Sequence, residues 1–183
     1  MALPPTIYRT QLQIADVDRG CYENLQLTVA RHPSETAERL VARLLAYALC
    51  YQEGLVFTKG ISAGDEPDLW LKTPDDRVQL WIEVGLPEAD KLRKSSRHAG
   101  EVVLFAYGSH PRSLWQRDQL PRLGTLDNLR VYGLDTALMR FLVDRLQRGI
   151  DWSVTRTEGT LYLAVGGETC DAPLVLLYGA EGE

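Results

Sequence analysis

The stretch that decides the fold is GDEPDLWLKTPDDRVQLWIEVGLP, residues 64–87. It contains two runs in which apolar and polar residues alternate, 68–72 and 78–84, and the sequence Pro74–Arg77 lies between them. Alternation of this kind is typical of β-strands, and a Pro-Asp-Asp sequence between two such runs indicates a turn. We therefore predict a β-hairpin with a four-residue loop at 74–77.

The register of this hairpin follows from the alternation of side chains between the two faces of a strand. The predicted pairs are Thr73–Val78, Lys72–Gln79, Trp70–Trp81 and Asp68–Glu83. A slip of one residue would place a carboxylate opposite a leucine or an isoleucine. Directly opposed residues have Cβ atoms about 4.5–5.5 Å apart. Two carboxylates at that distance repel each other unless a cation lies between them.

Asp68 and Glu83 are therefore the clearest chemical signal in the chain. Two carboxylates on neighbouring strands, open to water at the end of a sheet, suit Mg²⁺ or Mn²⁺. The alternative is a structural pair, with solvent between the carboxylates or with Lys72 or Lys91 as the partner. The residues by themselves leave both interpretations open.

A further carboxylate lies on the clearest predicted helix. Apolar residues recur at helical spacing over 37–49, which predicts a helix from about Pro33 to Tyr51. Glu38 falls inside the apolar arc, where a carboxylate is seldom buried without a partner. We expect either a salt bridge to an arginine or a place in the same site as the hairpin carboxylates.

A local basic patch lies on the helix predicted at 88–99. Lys91, Lys94 and His98 share one face of this helix at helical spacing. A solvated helix face is one interpretation of these charges. The other is that a lysine reaches the carboxylate pair, where it holds a phosphate oxygen or helps to activate water.

The order of the predicted elements indicates the fold class. A helix, three strands, a helix and a strand occupy the middle of the chain, and antiparallel strands flank them at both ends. This order predicts a mixed α/β sheet and not a repeated βαβ winding. Glu158-Gly159 is predicted to form a two-residue hairpin turn. The predicted strands are 6–14, 22–30, 55–58, 68–72, 78–84, 101–107, 129–134, 152–157, 160–165 and 174–178, and the predicted helices are 33–51, 88–99, 112–120 and 136–147.

Composition limits the classes of protein to consider. The chain has 183 residues, 45% hydrophobic and 25% charged, which predicts one globular domain over 1–183. A net charge of −5 disfavours a protein that coats nucleic acid, so any nucleic-acid contact should use the local basic helix 91–97. Three scattered cysteines and the absence of a signal or membrane-spanning segment predict a cytoplasmic protein without membrane contact. The sequence does not identify any protein partner.

Four strings in the chain resemble the YaeQ family of bacterial proteins: HPSETAERL (32–40), DEPDLW (65–70), WIEVGLP (81–87) and KLRK (91–94). The resemblance covers essentially the whole chain. It implies a variation on the restriction-endonuclease-like PD-(D/E)XK core, whose order is α-β-β-β-α-β. The element order that the residues predict by themselves is the same.

The resemblance also implies roles for individual residues. Pro67-Asp68 matches the PD pair, and Glu83 matches the acidic residue of (D/E)XK. Glu38 matches the glutamate that the first core helix often supplies in that superfamily. The backbone carbonyl of Val84 would be the customary additional metal ligand.

The position of the motif lysine is the point of departure, because Gly85 occupies it. Members of the superfamily sometimes supply this lysine from the next helix. The resemblance therefore implies Lys91 or Lys94 as its replacement, with Lys72 as a weaker candidate.

Three functions are consistent with these residues. The first is a Mg²⁺- or Mn²⁺-dependent phosphodiesterase or nuclease. The second is a catalytically degenerate nuclease fold that binds nucleic acid or protein, with a loose family link to transcription that no residue here supports. The third is a metal-free interaction module with structural carboxylates. Whether the chain is an enzyme is therefore left open at this point.

Overall fold

The computed structural model describes residues 2–59 and 64–181. The helices and strands are β1 (Thr6–Asp16), β2 (Cys21–Arg31), α1 (Ala37–Cys50), β3 (Val56–Phe57), β4 (Leu69–Lys72), β5 (Val78–Val84), α2 (Ala89–His98), β6 (Ala99–Ala106), α3 (Ser109–Gln119), β7 (Leu129–Gly133), α4 (Thr136–Asp144), β8 (Gly149–Thr157), β9 (Thr160–Val165), β10 (Glu168–Pro173) and β11 (Val175–Tyr178). The order α1-β3-β4-β5-α2-β6 is the predicted one of a helix, three strands, a helix and a strand.

The chain divides into two compact units, which the single predicted domain over 1–183 did not distinguish. The first unit contains the residues up to Cys50 together with Ala137–Leu174. The second contains Tyr51–Thr136 and the residues from Val175 onward. Within the described residues, the first sheet has the strand order β10-β9-β8-β1-β2 and the second has the order β11-β7-β6-β5-β4-β3.

In the first unit, the N-terminal strands β1 and β2 and the later strands β8, β9 and β10 form one sheet. β1 pairs with β2 in antiparallel orientation and with β8 in parallel orientation. The predicted turn between β8 and β9 is confirmed, with positive φ angles of 49° at Glu158 and 70° at Gly159. Such angles are those of the tight turns that match the twist of a hairpin. The carboxylate of Asp18 accepts hydrogen bonds from both turn amides, at 2.7 and 2.9 Å.

Helix α1 begins later than its hydrophobic pattern predicts. Pro33 lies in a turn closed by a hydrogen bond from the Glu35 N–H to the His32 carbonyl oxygen. The first helical residue is Ala37, and the Thr36 hydroxyl accepts a hydrogen bond from the Arg39 N–H at 3.1 Å. A threonine in this position satisfies an amide that the helix itself leaves without an acceptor.

The carboxylate buried at the start of α1 belongs to Glu35 and not to Glu38, which is half-buried. Arg43 binds Glu35 through two parallel hydrogen bonds, Nε to Oε1 at 2.7 Å and Nη2 to Oε2 at 2.8 Å. Arg39 adds a third contact to Oε1 at 3.0 Å. The periodicity of the helix could not reveal this pair, because Glu35 precedes the helix and Arg43 is a charged residue on a buried face.

In the second unit, the sheet is mixed, as predicted. β5, β6 and β7 are parallel, while β3, β4 and β11 pair in antiparallel orientation at the two edges. Helices α2 and α3 connect the parallel strands, so two successive βαβ units are present where the sequence predicted no such winding. The buried residues of the cluster that includes α2 and α3 are Trp81, Ala89, Leu92, Val102, Leu104, Ala106, Trp115, Leu123, Leu129 and Val131.

The β4–β5 hairpin has the predicted register at one end and a different one at the turn. The Trp70–Trp81 pair is confirmed, and Leu69 lies opposite Ile82. Near the turn, a β-bulge places Lys72 opposite Val78, so the predicted pairs Lys72–Gln79 and Thr73–Val78 are wrong. The loop is one residue shorter than predicted, because the Thr73 N–H already bonds to the Arg77 carbonyl oxygen at 2.9 Å and Asp76 has a φ of 64°. A left-handed residue and a bulge commonly accompany short hairpin loops.

No helix within residues 2–59 and 64–181 has the length and apolar character that crossing a membrane requires.

Candidate functional site

Asp68 lies immediately before β4 and is only 5% exposed. Its backbone N–H donates to the Ile82 carbonyl oxygen at 3.0 Å. Its carboxylate Oδ2 accepts a hydrogen bond from the Val84 N–H at 2.8 Å. Before β4 begins, the acceptor for the Val84 N–H is thus the Asp68 side chain and not a backbone carbonyl of the neighbouring strand. This bond holds the Asp68 carboxylate at the end of β5.

Glu83 is 3% exposed, and both oxygens of its carboxylate have partners. Oε1 accepts a hydrogen bond from the indole Nε1–H of Trp81 at 2.8 Å. Oε2 forms an ion pair with Nζ of Lys91, on α2, at 2.9 Å. Trp81 precedes Glu83 by two residues and therefore shares its face of the strand, which orients the carboxylate toward α2.

Asp68 and Glu83 both lie near the end of the β4–β5 hairpin that is away from its turn. The strand pairing ends at Leu69 and Ile82, and the Asp68 N–H also bonds to the Ile82 carbonyl oxygen, so the predicted Asp68–Glu83 pair stays a prediction. Backbone groups of Ile82 and Val84 both bond to Asp68, so the even residues of β5 direct their N–H and C=O groups to that side. The Val84 carbonyl therefore lies on the Asp68 side of β5.

The donor chemistry of this cluster fits a hard divalent cation. Two nearly buried carboxylates and a backbone carbonyl are the oxygen ligands that Mg²⁺ and Mn²⁺ prefer. Across residues 2–59 and 64–181, no group of three or more His, Cys, Asp or Glu side chains is arranged to hold a metal ion. An ion at this site would therefore depend on Asp68, Glu83 and the Val84 carbonyl, with water completing its coordination.

Gly85, which the resemblance places at the position of the motif lysine, has a backbone conformation suited to glycine. The residue follows β5, its N–H bonds to the Phe105 carbonyl oxygen at 3.0 Å, and its φ is 111°. Glycine adopts this conformation readily, whereas a residue with a Cβ atom is strained in it. A lysine at position 85 would require a different backbone at the end of β5.

The structure distinguishes the three lysines that were considered as replacements. Lys91 reaches Glu83. Lys94 lies 3.4 Å from an Asp65 oxygen at an exposed position. Lys72 forms an ion pair with Asp76 at 2.9 Å, and its ammonium lies 4.1 Å from the centre of the Trp70 ring. Of the three, Lys91 is thus the lysine that contacts Glu83.

Glu38 lies on α1 in the first unit, whereas every contact of the carboxylate site given above lies within the second unit. Its metal-ligand role, implied by the resemblance, stays a prediction.

A cavity of about 340 Å³ adjoins the Lys91 end of the site. The residues that line it are Gly64, Asp65, Trp81, Lys91, Lys94, Ser95 and His98. The predicted basic face of α2 therefore faces a concave surface. Ser95 also lines the cavity, although the sequence did not single it out. It is buried, and its hydroxyl donates to the Lys91 carbonyl oxygen at 3.0 Å. Its position one turn after Lys91 was the available signal.

The whole chain has close relatives among known proteins. The family model described as YaeQ protein matches residues 1–174. The chain belongs to the YaeQ family. It is 38% identical over 164 residues to "Uncharacterized protein YaeQ" of Salmonella typhi, covering 90% of this chain and 91% of that protein. The Escherichia coli K12 protein of the same description is 37% identical with the same coverage.

Solved YaeQ structures have the same fold. The crystal structure of the YaeQ protein from Pseudomonas syringae superposes with a TM-score of 0.93 at 41% identity, covering 99% of this chain and all of that one. The YaeQ protein from Xanthomonas axonopodis pv. citri gives a TM-score of 0.92 at 36% identity, covering 96% of this chain and 99% of that one. The mixed α/β fold with two sheets is thus the fold of YaeQ proteins.

Proposed function

We propose that the chain is a Mg²⁺- or Mn²⁺-dependent phosphodiesterase or nuclease with a variant PD-(D/E)XK site. Asp68, Glu83 and the Val84 carbonyl would hold the ion, and Lys91 would take the place of the motif lysine. The observation that carries this proposal is the 2.9 Å contact between Lys91 Nζ and Glu83 Oε2. It occurs in a chain whose position 85 has a backbone suited to glycine.

The residues of the site would have different roles in such a reaction. A bound divalent ion lowers the pKa of water and stabilises negative charge on a leaving oxygen. The Val84 amide holds Asp68 in place, and the Trp81 indole orients Glu83. Lys91 has a side chain that is 47% exposed, so its ammonium can contact a substrate phosphate while it stays beside Glu83.

The surroundings of Lys91 suit a phosphodiester substrate. Lys91, Lys94 and His98 line the same cavity, where cationic and hydrogen-bonding groups can contact phosphate oxygens. Helix α2 also carries Arg97 beside His98 in its last turn, in a protein whose net charge is −5. Association with a nucleic acid through this surface should weaken steeply with added salt.

Calorimetry with Mn²⁺ tests the ion site. Wild type should bind one ion, Glu83→Ala should lose the site, and Asp68→Asn should weaken it, because each change removes an anionic oxygen ligand. Asp65→Asn is the matched control for Asp68→Asn, since Asp65 lines the cavity and contacts Lys94 instead. Equal heats for wild type, Glu83→Ala and Asp68→Asn would overturn the ion site.

A turnover assay on DNA, RNA and a small phosphodiester with Mg²⁺ or Mn²⁺ tests the lysine. Lys91→Met should reduce turnover by roughly 10²–10³-fold, the usual cost of removing one group that stabilises negative charge on the reacting phosphate, and should leave Mn²⁺ binding largely intact. Lys94→Met, the same change on the next turn of α2, should reduce it much less. The reverse order would contradict the role of Lys91, and turnover unchanged in Glu83→Ala would indicate a contaminating nuclease.

One observation favours a second candidate, a nuclease fold that binds nucleic acid or protein without cleavage. The carboxylate of Asp68 bonds to the Val84 N–H, and both oxygens of Glu83 are bonded to Trp81 and Lys91. These carboxylate oxygens therefore have protein partners, and the bond between Asp68 and Val84 links the two strands of the hairpin. Salt-sensitive binding of nucleic acid without a metal-dependent product in any assay would favour this candidate over the enzyme.

A further inference from the structure

β2 is a long and regular strand at the edge of the first sheet. It spans 11 residues, Cys21–Arg31, and pairs with β1 along its whole length without a register shift. On its other side, no strand pairs with it among the residues that the structure describes. An edge of this kind presents unpaired backbone N–H and C=O groups that another strand can bind.

The other sheet edges in the described part of the chain are short or interrupted. β10, at the opposite edge of the same sheet, carries Glu168 and Asp171 and ends in Pro173. In the second sheet, β3 has two residues and the pairing of β11 contains an irregularity. Acidic residues, proline, shortness and bulges are the features that prevent an edge from pairing. β2 contains no proline, no lysine and no bulge, and its single acidic residue is Glu23, near one end of the strand.

The direction of the free backbone groups on β2 follows from its neighbours. The Arg9 N–H donates to the Arg148 carbonyl oxygen, and the Val17 N–H donates to the Arg156 carbonyl oxygen in β8. The backbone N–H and C=O groups of the odd residues of β1 are therefore directed to β8, and those of its even residues are directed to β2. The even residues of β1 lie opposite odd residues of β2. The N–H and C=O groups of the even residues of β2 are therefore directed to this edge. At one end of the edge, the Ala30 carbonyl oxygen accepts a hydrogen bond from Nη2 of Arg43 at 3.0 Å, so the stretch open to another strand is centred on residues 22–28.

Apolar side chains continue to this edge on the inner face of the sheet. Val29 is buried, whereas Leu25 and Leu27, on the same face of β2, are half-buried. Additional strands beside β2 would cover the part of these leucines that remains exposed. Such burial stabilises an association by about 25 cal/mol for each Å² of apolar surface removed from water.

We propose that β2 pairs with β2 of a second copy of this chain, in antiparallel orientation about a twofold axis at Leu27. Antiparallel pairing of one strand with itself satisfies the same backbone groups on both copies. The pairs across the axis are Glu23–Arg31, Asn24–Ala30, Leu25–Val29, Gln26–Thr28 and Leu27–Leu27. The two first sheets then form one continuous sheet through the dimer.

Charge selects this register over its neighbours. Glu23 is exposed, and it lies opposite Arg31, whose guanidinium is held by the Glu35 carbonyl oxygen at 2.9 Å. Opposite charges directly across a strand pair are favourable. A shift by two residues would place Glu23 opposite Val29 in one direction and Arg31 opposite Leu25 in the other.

Sedimentation velocity over a range of protein concentrations tests the association. The wild-type protein should convert to a species of twice the 20.6 kDa chain mass as concentration rises. Glu23→Lys places like charges opposite each other and should weaken the dimer by at least tenfold. Glu53→Lys makes the same change of charge at an exposed turn outside β2 and should leave the dimer constant unchanged. A protein that is monomeric at every concentration would overturn the proposal, as would equal constants for wild type and Glu23→Lys.

Disulfide cross-linking tests the register. Under oxidation, Leu27→Cys should give a covalent dimer linked through position 27, identified by mass spectrometry of the cross-linked peptide. Leu25→Cys, the same change on the same face, should not link to itself, because its partner in this register is Val29. Cross-linking of Leu25→Cys and not of Leu27→Cys would overturn the register that we propose.

Discussion

Replacement of Glu35 tests whether the buried ion pair before α1 stabilises the fold. Glu35→Ala removes the carboxylate that the Arg43 guanidinium binds. The Arg43 side chain is 4% exposed and the Glu35 side chain is 1% exposed. Removal of one partner from a buried pair costs about 3–5 kcal/mol, because the remaining charge is uncompensated. We expect the free energy of unfolding to fall by that amount.

Equilibrium denaturation with urea measures this change, and Glu38→Ala is its matched control. Glu38 lies three residues further along and is half-buried, so its replacement should cost less than about 1 kcal/mol. The double variant Glu35→Leu with Arg43→Met should recover much of the loss, since it removes both charges. A loss in Glu35→Ala no larger than in Glu38→Ala would refute the reasoning.

Two further predictions concern a pH dependence and a backbone conformation. The Gly159 amide, with the Glu158 amide and the Arg156 guanidinium, lowers the pKa of Asp18 below its ordinary value of 3.8, against the opposing effect of burial. A carboxylate whose pKa is lower in the folded protein stabilises the fold fully at pH values above its ordinary pKa. This stabilisation is lost as the pH falls through the lowered pKa. Asp18→Asn should therefore destabilise the protein at neutral pH, and its difference from wild type in urea denaturation should shrink below pH 3.8. A difference that is the same at neutral and at acid pH would contradict this prediction. Gly85→Lys should cost about 1–3 kcal/mol because of its φ of 111°, and Gly85→Ala should cost the same if the backbone is the cause; a neutral Gly85→Lys would contradict this explanation.

Local patterns were sufficient to predict most of the strands and helices. The alternation of β5 gave its bounds, Val78–Val84, and Glu158-Gly159 marked the turn before β9. β10 was missed because its sequence, ETCDAP, is polar and ends in proline, so that only its pairing with β9 makes it a strand. The separation into two sheets was missed for a similar reason, since the parallel pairing of β1 with β8 leaves no local signal in either strand.

The candidate site was predictable where it depends on alternation and not where it depends on backbone conformation. Alternation predicted that Asp68 and Glu83 lie at the same end of the hairpin, and helical spacing put Lys91, Lys94 and His98 on one face of α2, of which Lys91 contacts Glu83. The sequence showed that position 85 is glycine, but the positive φ that accounts for it is visible only in three dimensions. Choosing Lys91 over Lys94 likewise required the actual distances.

The parallel neighbour of β1 has a consequence for the order in which the protein folds during synthesis. Asp18 bonds to Glu158, a residue 140 positions later in the chain, and β1 lies beside β8. The N-terminal hairpin therefore leaves the ribosome long before the strand that completes its sheet. A domain usually folds once its own residues have been synthesised. Most residues of the second unit, Tyr51–Thr136, are therefore available for folding before Ala137–Leu174, which the first unit still lacks. Nascent chains that end before Gly149 should expose both edges of β1–β2, and chaperones that bind unpaired strands would act in that interval.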